Sequence, residues 1–194
     1  MSDGPYIRGA GRSALEEGLE GNADRVLRYV TEHPGCYLRQ IRRALAISMG
    51  TTQYHLRMLE ETGRVTSSKR GLYRYYFAAR TFQPFEKILL EALSHETARE
   101  ILMFIIERGN PTQSDIAARI AVSAPSVSWH VSRLAGSQVI TEERDGKYKR
   151  YQLRGDPQLL VSLMKNYYPS VWETWSDRLA EIFLSLSKDE TKGP

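Results

Sequence analysis

The chain holds one cysteine in 194 residues, and that scarcity excludes a good deal. Cys36 alone closes no internal disulfide and falls short of the three or four clustered ligands that a zinc site needs. Long apolar runs are missing too. None approaches the roughly 20 residues that span a bilayer, and the opening MSDGPYIRGAGRSALEEGLEG carries no apolar stretch with a cleavage site behind it. A cytoplasmic, nucleoid-associated protein with no membrane partner is expected. Signs of catalysis are also lacking: His33, His55, His95 and His130 are scattered, and no H-E-x-x-H, G-x-S-x-G or glycine-rich phosphate loop occurs. The sequence reads as a non-enzyme that needs no cofactor and no metal.

Acidic residues are the last scarcity, and it is local. The net charge is only +4, but it is unevenly placed. From Asn22 to Arg80 there are eleven Lys/Arg against four Asp/Glu, giving +7; from Pro84 to Arg154 there are ten against nine, giving +1. Basicity concentrated in one half is the footprint of phosphate contact, although a solvated basic face has the same composition.

Against these absences stands one stretch, SAPSVSWHVSRL, from Ser123 to Leu134. Ser123 suits an N-cap, Pro125 suits the first turn, and Val127, Val131 and Leu134 recur at i, i+4 and i+7, a single apolar stripe. Such a helix packs by one face only. The opposite face is small, hydroxylated, aromatic or basic, with no acid until Glu142. Seventy-five residues earlier (123 − 48 = 75) the pattern returns as SMGTTQYHLRML, Ser48 to Leu59, with Thr52, Leu56 and Leu59 in the stripe.

The surroundings repeat as well. At the same offset, with no gap from Val26/Ile101 to Tyr76/Tyr151, eleven of 51 positions are identical, against the roughly three that random usage gives. The pairs include His55/His130, Gly71/Gly146, Tyr73/Tyr148 and Tyr76/Tyr151. Two units are too few for a solenoid, so the repeat implies two domains. Each reads as three helices and a hairpin. In the first, Asn22 caps a helix with Val26, Leu27 and Val30 inward, a second helix runs from about Leu38 to Leu45, and Val65 to Lys69 pairs with Leu72 to Phe77 across Arg70-Gly71. In the second, Ser94 caps a helix with Ile101, Leu102 and Ile105 inward, Thr112 caps the next, and strand-like runs flank Asp145-Gly146, a strong hairpin signal.

The fold class expected is therefore mainly α with small β-wings (α+β): two tandem winged helix-turn-helix domains and C-terminal helices. Residues 1–21, with five of the fourteen glycines, read as a mobile arm. Residues 22–80 form the first domain, 84–154 the second, and 155–194 the C-terminal helices with a short tail. In those helices Trp172, Trp175, Leu179, Ile182 and Leu186 are spaced 3, 4, 3, 4, the rhythm of a helix seam. A seam between two chains, making a homodimer, is expected; the alternative is that this helix lies on its own second domain.

The residues also resemble a known family. ALSHETAREIL, Ala92 to Leu102, is similar to the opening of ArsR-type winged-helix repressors, and SAPSVSWHVSRL followed by Gln138-Val139-Ile140 is similar to their recognition helix and the start of their wing. The likeness covers almost the whole second domain. The first is a looser relative, and the pair together resembles tandem winged-helix regulators common in archaea. The resemblance implies sequence-specific binding of double-stranded DNA and control of transcription, usually as a dimer. Metal-sensing members carry a cysteine pair in the first helix of the helix-turn-helix, whereas Gln113 to Ala118 has none.

The major groove of B-DNA admits a helix and displays base identity there. The candidate readers are Gly50, Thr51, Gln53, Tyr54 and Arg57 on the first recognition helix, and Ser126, Ser128, Trp129, Ser132 and Arg133 on the second. Gln suits adenine, Arg suits guanine or a phosphate, and Gly50 lets the backbone come close. The wings offer Lys69, Arg70 and Arg74, then Lys147, Lys149 and Arg150. The repeated tyrosines read as cross-strand packing and the repeated histidines as partly buried structural groups. A protein-binding scaffold is the competing use of such domains. A small-molecule effector among Tyr167, Tyr168, Trp172 and Trp175 is a third possibility that no motif supports.

Overall fold

The computed structural model describes residues 21–176. The expected arm, apart from Gly21, and the seam positions Leu179, Ile182 and Leu186 lie outside the described residues. The first unit contains α1 (Asn22–Glu32), β1 (Cys36–Tyr37), α2 (Leu38–Leu45), α3 (Met49–Glu61), β2 (Val65–Arg70) and β3 (Tyr73–Ala78). Then come α4 (Pro84–Leu93), α5 (Glu96–Arg108), α6 (Gln113–Ile120), α7 (Ala124–Gly136), β4 (Ile140–Asp145), β5 (Tyr148–Leu153) and α8 (Pro157–Tyr167). Residues 169–176 are helical again.

The apolar stripes land where their spacing puts them. Val26 and Val30 of α1, Ile41 of α2, and Leu56 and Leu59 of α3 are buried in one core with Val65 and Tyr76. Thr52, also in the stripe of α3, is fully buried and donates its hydroxyl to the Ser48 carbonyl at 2.8 Å, which satisfies its one polar group. Ile101, Leu102, Ile105, Ile116, Val127, Val131 and Leu134 build the second core.

Several boundaries differ from the sequence reading for local reasons. Gly21, not Asn22, is the N-cap of α1, and the Asn22 side chain instead accepts from Arg25 at 3.1 Å. Ser94 closes α4, so His95 becomes the N-cap of α5. Both hairpin loops fall one residue later than expected, at Gly71-Leu72 and Gly146-Lys147, because Arg70 pairs with Tyr73 and Asp145 with Tyr148. The two-residue loops place glycine at φ +60° and +59° in their first position, which only glycine adopts without cost.

The unexpected element is β1. It pairs antiparallel with β3 and makes a three-stranded sheet in the order β1-β3-β2, against two strands in the second unit. This sheet is buried on both sides. Tyr76 of β3 faces the first core, while Tyr75 and Phe77, one residue to either side, belong to the second core with Leu89, Leu90 and Leu93 of α4. The turn before β1 presses on the same helix: a Cβ on Gly35, which sits at φ +79°, would meet the Leu90 carbonyl oxygen at 2.8 Å. The two units are therefore packed through a shared strand, and the segment from Ala78 to Gln83 does not hold them apart.

The described part of the C-terminal helices, up to residue 176, packs on this chain's own core. Leu160, Val161, Leu163 and Met164 of α8 are buried in the second core, and Trp172 and Trp175 are half-buried against it. The Arg119 guanidinium lies 5.7 Å from the Trp175 ring. Among the described residues no helix is long and apolar enough to cross a membrane, and no three His, Cys, Asp or Glu side chains converge as a metal site would require.

Candidate nucleic-acid interface

Helix α3 starts with the Ser48 hydroxyl accepting the Thr51 amide at 3.0 Å and meeting the Thr51 hydroxyl at 2.8 Å, so Thr51 is partly engaged in its own cap. Gly50 stands open, since a Cβ there would meet nothing closer than Ser48 Oγ at 4.0 Å. Gln53 is exposed and Tyr54 is 65% exposed. Arg57 is exposed and donates from Nε to Glu61 Oε1 at 2.7 Å. An exposed i,i+4 pair of this kind is weak and screened by solvent, so the guanidinium can exchange partners readily. The five first-helix candidates thus share one solvent-facing surface opposite Thr52, Leu56 and Leu59.

Helix α7 is less uniform. Ser128 and Ser132 are exposed, Ser126 is half-buried, and Trp129 is 53% exposed. Arg133 turns toward the first unit: its guanidinium lies 4.6 Å from the Trp129 ring and donates to the Tyr75 hydroxyl at 3.4 Å. The same hydroxyl meets His95 Nε2 at 2.7 Å. His95 is stacked on Tyr37 with centroids 5.6 Å apart and edge-on to Tyr73 and Tyr75. Burial, followed by the charges of Arg133 and His130, pushes its pKa down to about 4. At neutral pH this site holds a neutral imidazole between two modules, with one arginine of the recognition helix beside it.

The wings part company in the same way. Arg70 is committed to the inside, donating from Nε to Glu91 Oε2 at 2.5 Å, and the Ser68 hydroxyl donates to the same carboxylate. Glu91 is 3% exposed, so this pair joins the first wing to α4 and takes Arg70 away from the tip. Arg74 lies near Glu60 at 3.7 Å, and Lys69 is exposed. The tip itself carries Leu72, 99% exposed. It stands across an open groove of about 430 Å³ from Trp129 and Arg133, so the first wing flanks the second recognition helix.

In the second wing Lys149 pairs with Glu142 at 2.7 Å and Lys147 lies 5.2 Å from the Tyr148 ring. Arg150 is structural, bonded to Asp145 at 2.7 Å and to the Asn110 carbonyl at 3.1 Å. Another open groove, of about 480 Å³, runs between this wing and the starts of α6 and α7, with Arg144, Lys147 and Lys149 on one wall and Gln113 and Ser114 on the other. Tyr76 and Tyr151 are buried, as the packing reading expects; Tyr148 is half-exposed, which it does not. His55 and His130 are both half-buried, and burial lowers the pKa of His130.

Three further cations of the first unit, not singled out in the sequence, stand on its surface. Arg39, Arg42 and Arg43 of α2 are exposed and, among the described residues, join no acid. Their signal was present as the +7 of the first unit, but counting by segment did not assign it to one helix.

Two family models match the chain in tandem: an N-terminal HTH domain over residues 21–90 and a winged helix-turn-helix DNA-binding domain over residues 94–141. The transcriptional repressor SdpR of Bacillus subtilis is 35% identical over 65 residues, which is 34% of this chain and 71% of SdpR. An uncharacterized HTH-type transcriptional regulator of Methanocaldococcus jannaschii is 23% identical over 121 residues, 62% of this chain and 30% of that protein. The chain thus spans about a third of that relative's length. Among solved structures, an ArsR family transcriptional regulator matches at 22% identity and a TM-score of 0.35, over 47% of this chain and 95% of its own.

Proposed function

We propose, for a chain that belongs to the winged helix-turn-helix transcriptional regulators, that it binds double-stranded DNA sequence-specifically and controls transcription through both of its domains. The observation that carries this reading is the pair of helices α3 and α7, each sealed into a core along one stripe while its opposite face carries hydroxyl and aromatic groups toward solvent, joined on α3 by the Gln53 amide and the Arg57 guanidinium. The major groove is the surface such a helix fits. The readers proposed are Gly50, Thr51, Gln53, Tyr54 and Arg57 on α3 and Ser126, Ser128, Trp129 and Ser132 on α7. Lys69, Arg74, Lys147 and Lys149 serve as wing contacts. Arg70, Arg133 and Arg150 are assigned instead to holding the wings and the modules in place. The protein acts in the cytoplasm, at the nucleoid, as a homodimer.

The test is a mobility shift with genomic duplex fragments over a salt series. Affinity that falls steeply with salt, and that Arg57→Ala and Gln53→Ala weaken on preferred fragments, supports the reading. Exposed Leu72 and Trp129 favour a second reading, a scaffold for another protein. Absence of binding to any duplex at low salt decides for the scaffold.

A further inference from the structure

We infer that the outward face of α2, formed by Arg39, Arg42 and Arg43, is the main phosphate grip of this protein, so that α2 supplies sequence-independent affinity beside the base discrimination of α3 and α7. The inference rests on the DNA-binding reading and goes past it by separating the phosphate grip from the base-reading helices.

At 3.6 residues per turn, Arg39, Arg42 and Arg43 share a sector about 100° wide on the side away from Ile41, which is fully buried. The orientation of that sector is fixed. Gln40 Nε2 donates to the Ser94 carbonyl at 3.2 Å, and Arg25 holds the far end by donating to the Leu45 carbonyl at 3.0 Å. Nearby cations are paired: Arg57 with Glu61, Arg64 with Asp24, Arg70 with Glu91 and Arg74 with Glu60. The α2 trio has no such partner among the described residues, and three guanidinium groups this close repel one another.

Helix stability does not account for the trio. Arg42 and Arg43 in the last turn complement the helix dipole, but Arg39 lies in the first turn, at the positive end, where a cation is unfavourable. Nor does the fold require them. At the 75-residue offset the second module has Ser114, Ala117 and Ala118, and α6 forms with the same length and the same left-handed alanine after it. What the first copy has and the second lacks is a charged face beside a recognition helix, since α2 packs directly on α3. A regular row of anions is the partner that matches it, and duplex DNA presents one charge per about 1.7 Å of axis.

The experiment compares the full chain with the triple variant Arg39→Gln/Arg42→Gln/Arg43→Gln on one preferred and one random duplex from low to moderate salt. Glutamine keeps helix propensity. The slope of log K against log salt is expected to become shallower by about 2–3, near 0.9 for each lost contact, while the ratio of preferred to random affinity changes less than about twofold. The matching triple lysine variant should keep the wild-type slope. The single variant Arg39→Gln, expected to shift the slope by about 1, gives the same answer if the triple fails to fold.

A control that removes three exposed cations elsewhere, Arg80→Gln/Arg108→Gln/Lys165→Gln, should leave the slope nearly unchanged. An unaltered slope in the α2 variant, or an equal loss in the control, overturns the assignment and leaves the DNA-binding reading standing. Failure of the wild-type chain to bind duplex, as when the face receives an acidic protein instead, overturns both.

Discussion

The Tyr75 hydroxyl sits where three parts of the chain meet: its own strand β3, His95 at the start of α5, and Arg133 on α7. Tyr75→Phe removes both hydrogen bonds without emptying the ring's place in the core. It is expected to cost about 1 kcal/mol in a urea titration, with the ring contacts intact. The imidazole beside it makes stability depend on pH. His95 is held at about 4 in the folded chain against an ordinary value of 6.5, so above 6.5 it is neutral in both states and its contribution is whole. As pH falls from 6.5 toward 4 the unfolded chain takes up the proton first, and stability is lost across that window. The groups that face it are Tyr37, Tyr73, Tyr75, Arg133 and His130, and His130 is shifted in the same direction. Urea midpoints at pH 7 and 5.5 should therefore differ more in the wild type than in His95→Gln. Equal differences would remove the imidazole from the account.

Elements that carry one periodic stripe were legible, and those held by contacts between modules were not. The Val127, Val131, Leu134 spacing placed α7, and Asp145-Gly146 placed the second hairpin to within a residue. Strand β1 was missed because Cys36-Tyr37 is too short to show any period. The two-sided burial of β3 had a trace, since Tyr75-Tyr76-Phe77 is an unbroken aromatic run where a half-buried strand would alternate. The inward turn of Arg70 had none, because its partner Glu91 lies on helix α4, 21 residues away. Substituting Arg70 by Ala strands a buried carboxylate and is expected to cost about 1–3 kcal/mol, much of it recovered in Arg70→Ala/Glu91→Gln. Gly35→Ala adds a methyl against the Leu90 carbonyl at positive φ and should cost roughly 1–3 kcal/mol, with faster proteolysis between the modules.

For the whole chain, α8 is part of a core, so cutting after Gly155 would unfold that core along with any assembly it supports. A cut after Ser176 keeps Leu160, Val161, Leu163 and Met164 in place. Light scattering should find the full chain dimeric, as the proposed homodimer requires. A full chain that is monomeric sinks the proposed seam. The strand shared by both cores has its own consequence for the operator. Because β3 belongs to both cores, the proposed readers α3 and α7 stand at a fixed interval, like marks on a ruler, with no swivel with which to follow an altered helical phase. Lengthening the spacer of its site by half a DNA turn should then abolish binding, while a whole added turn should not restore it to the original strength.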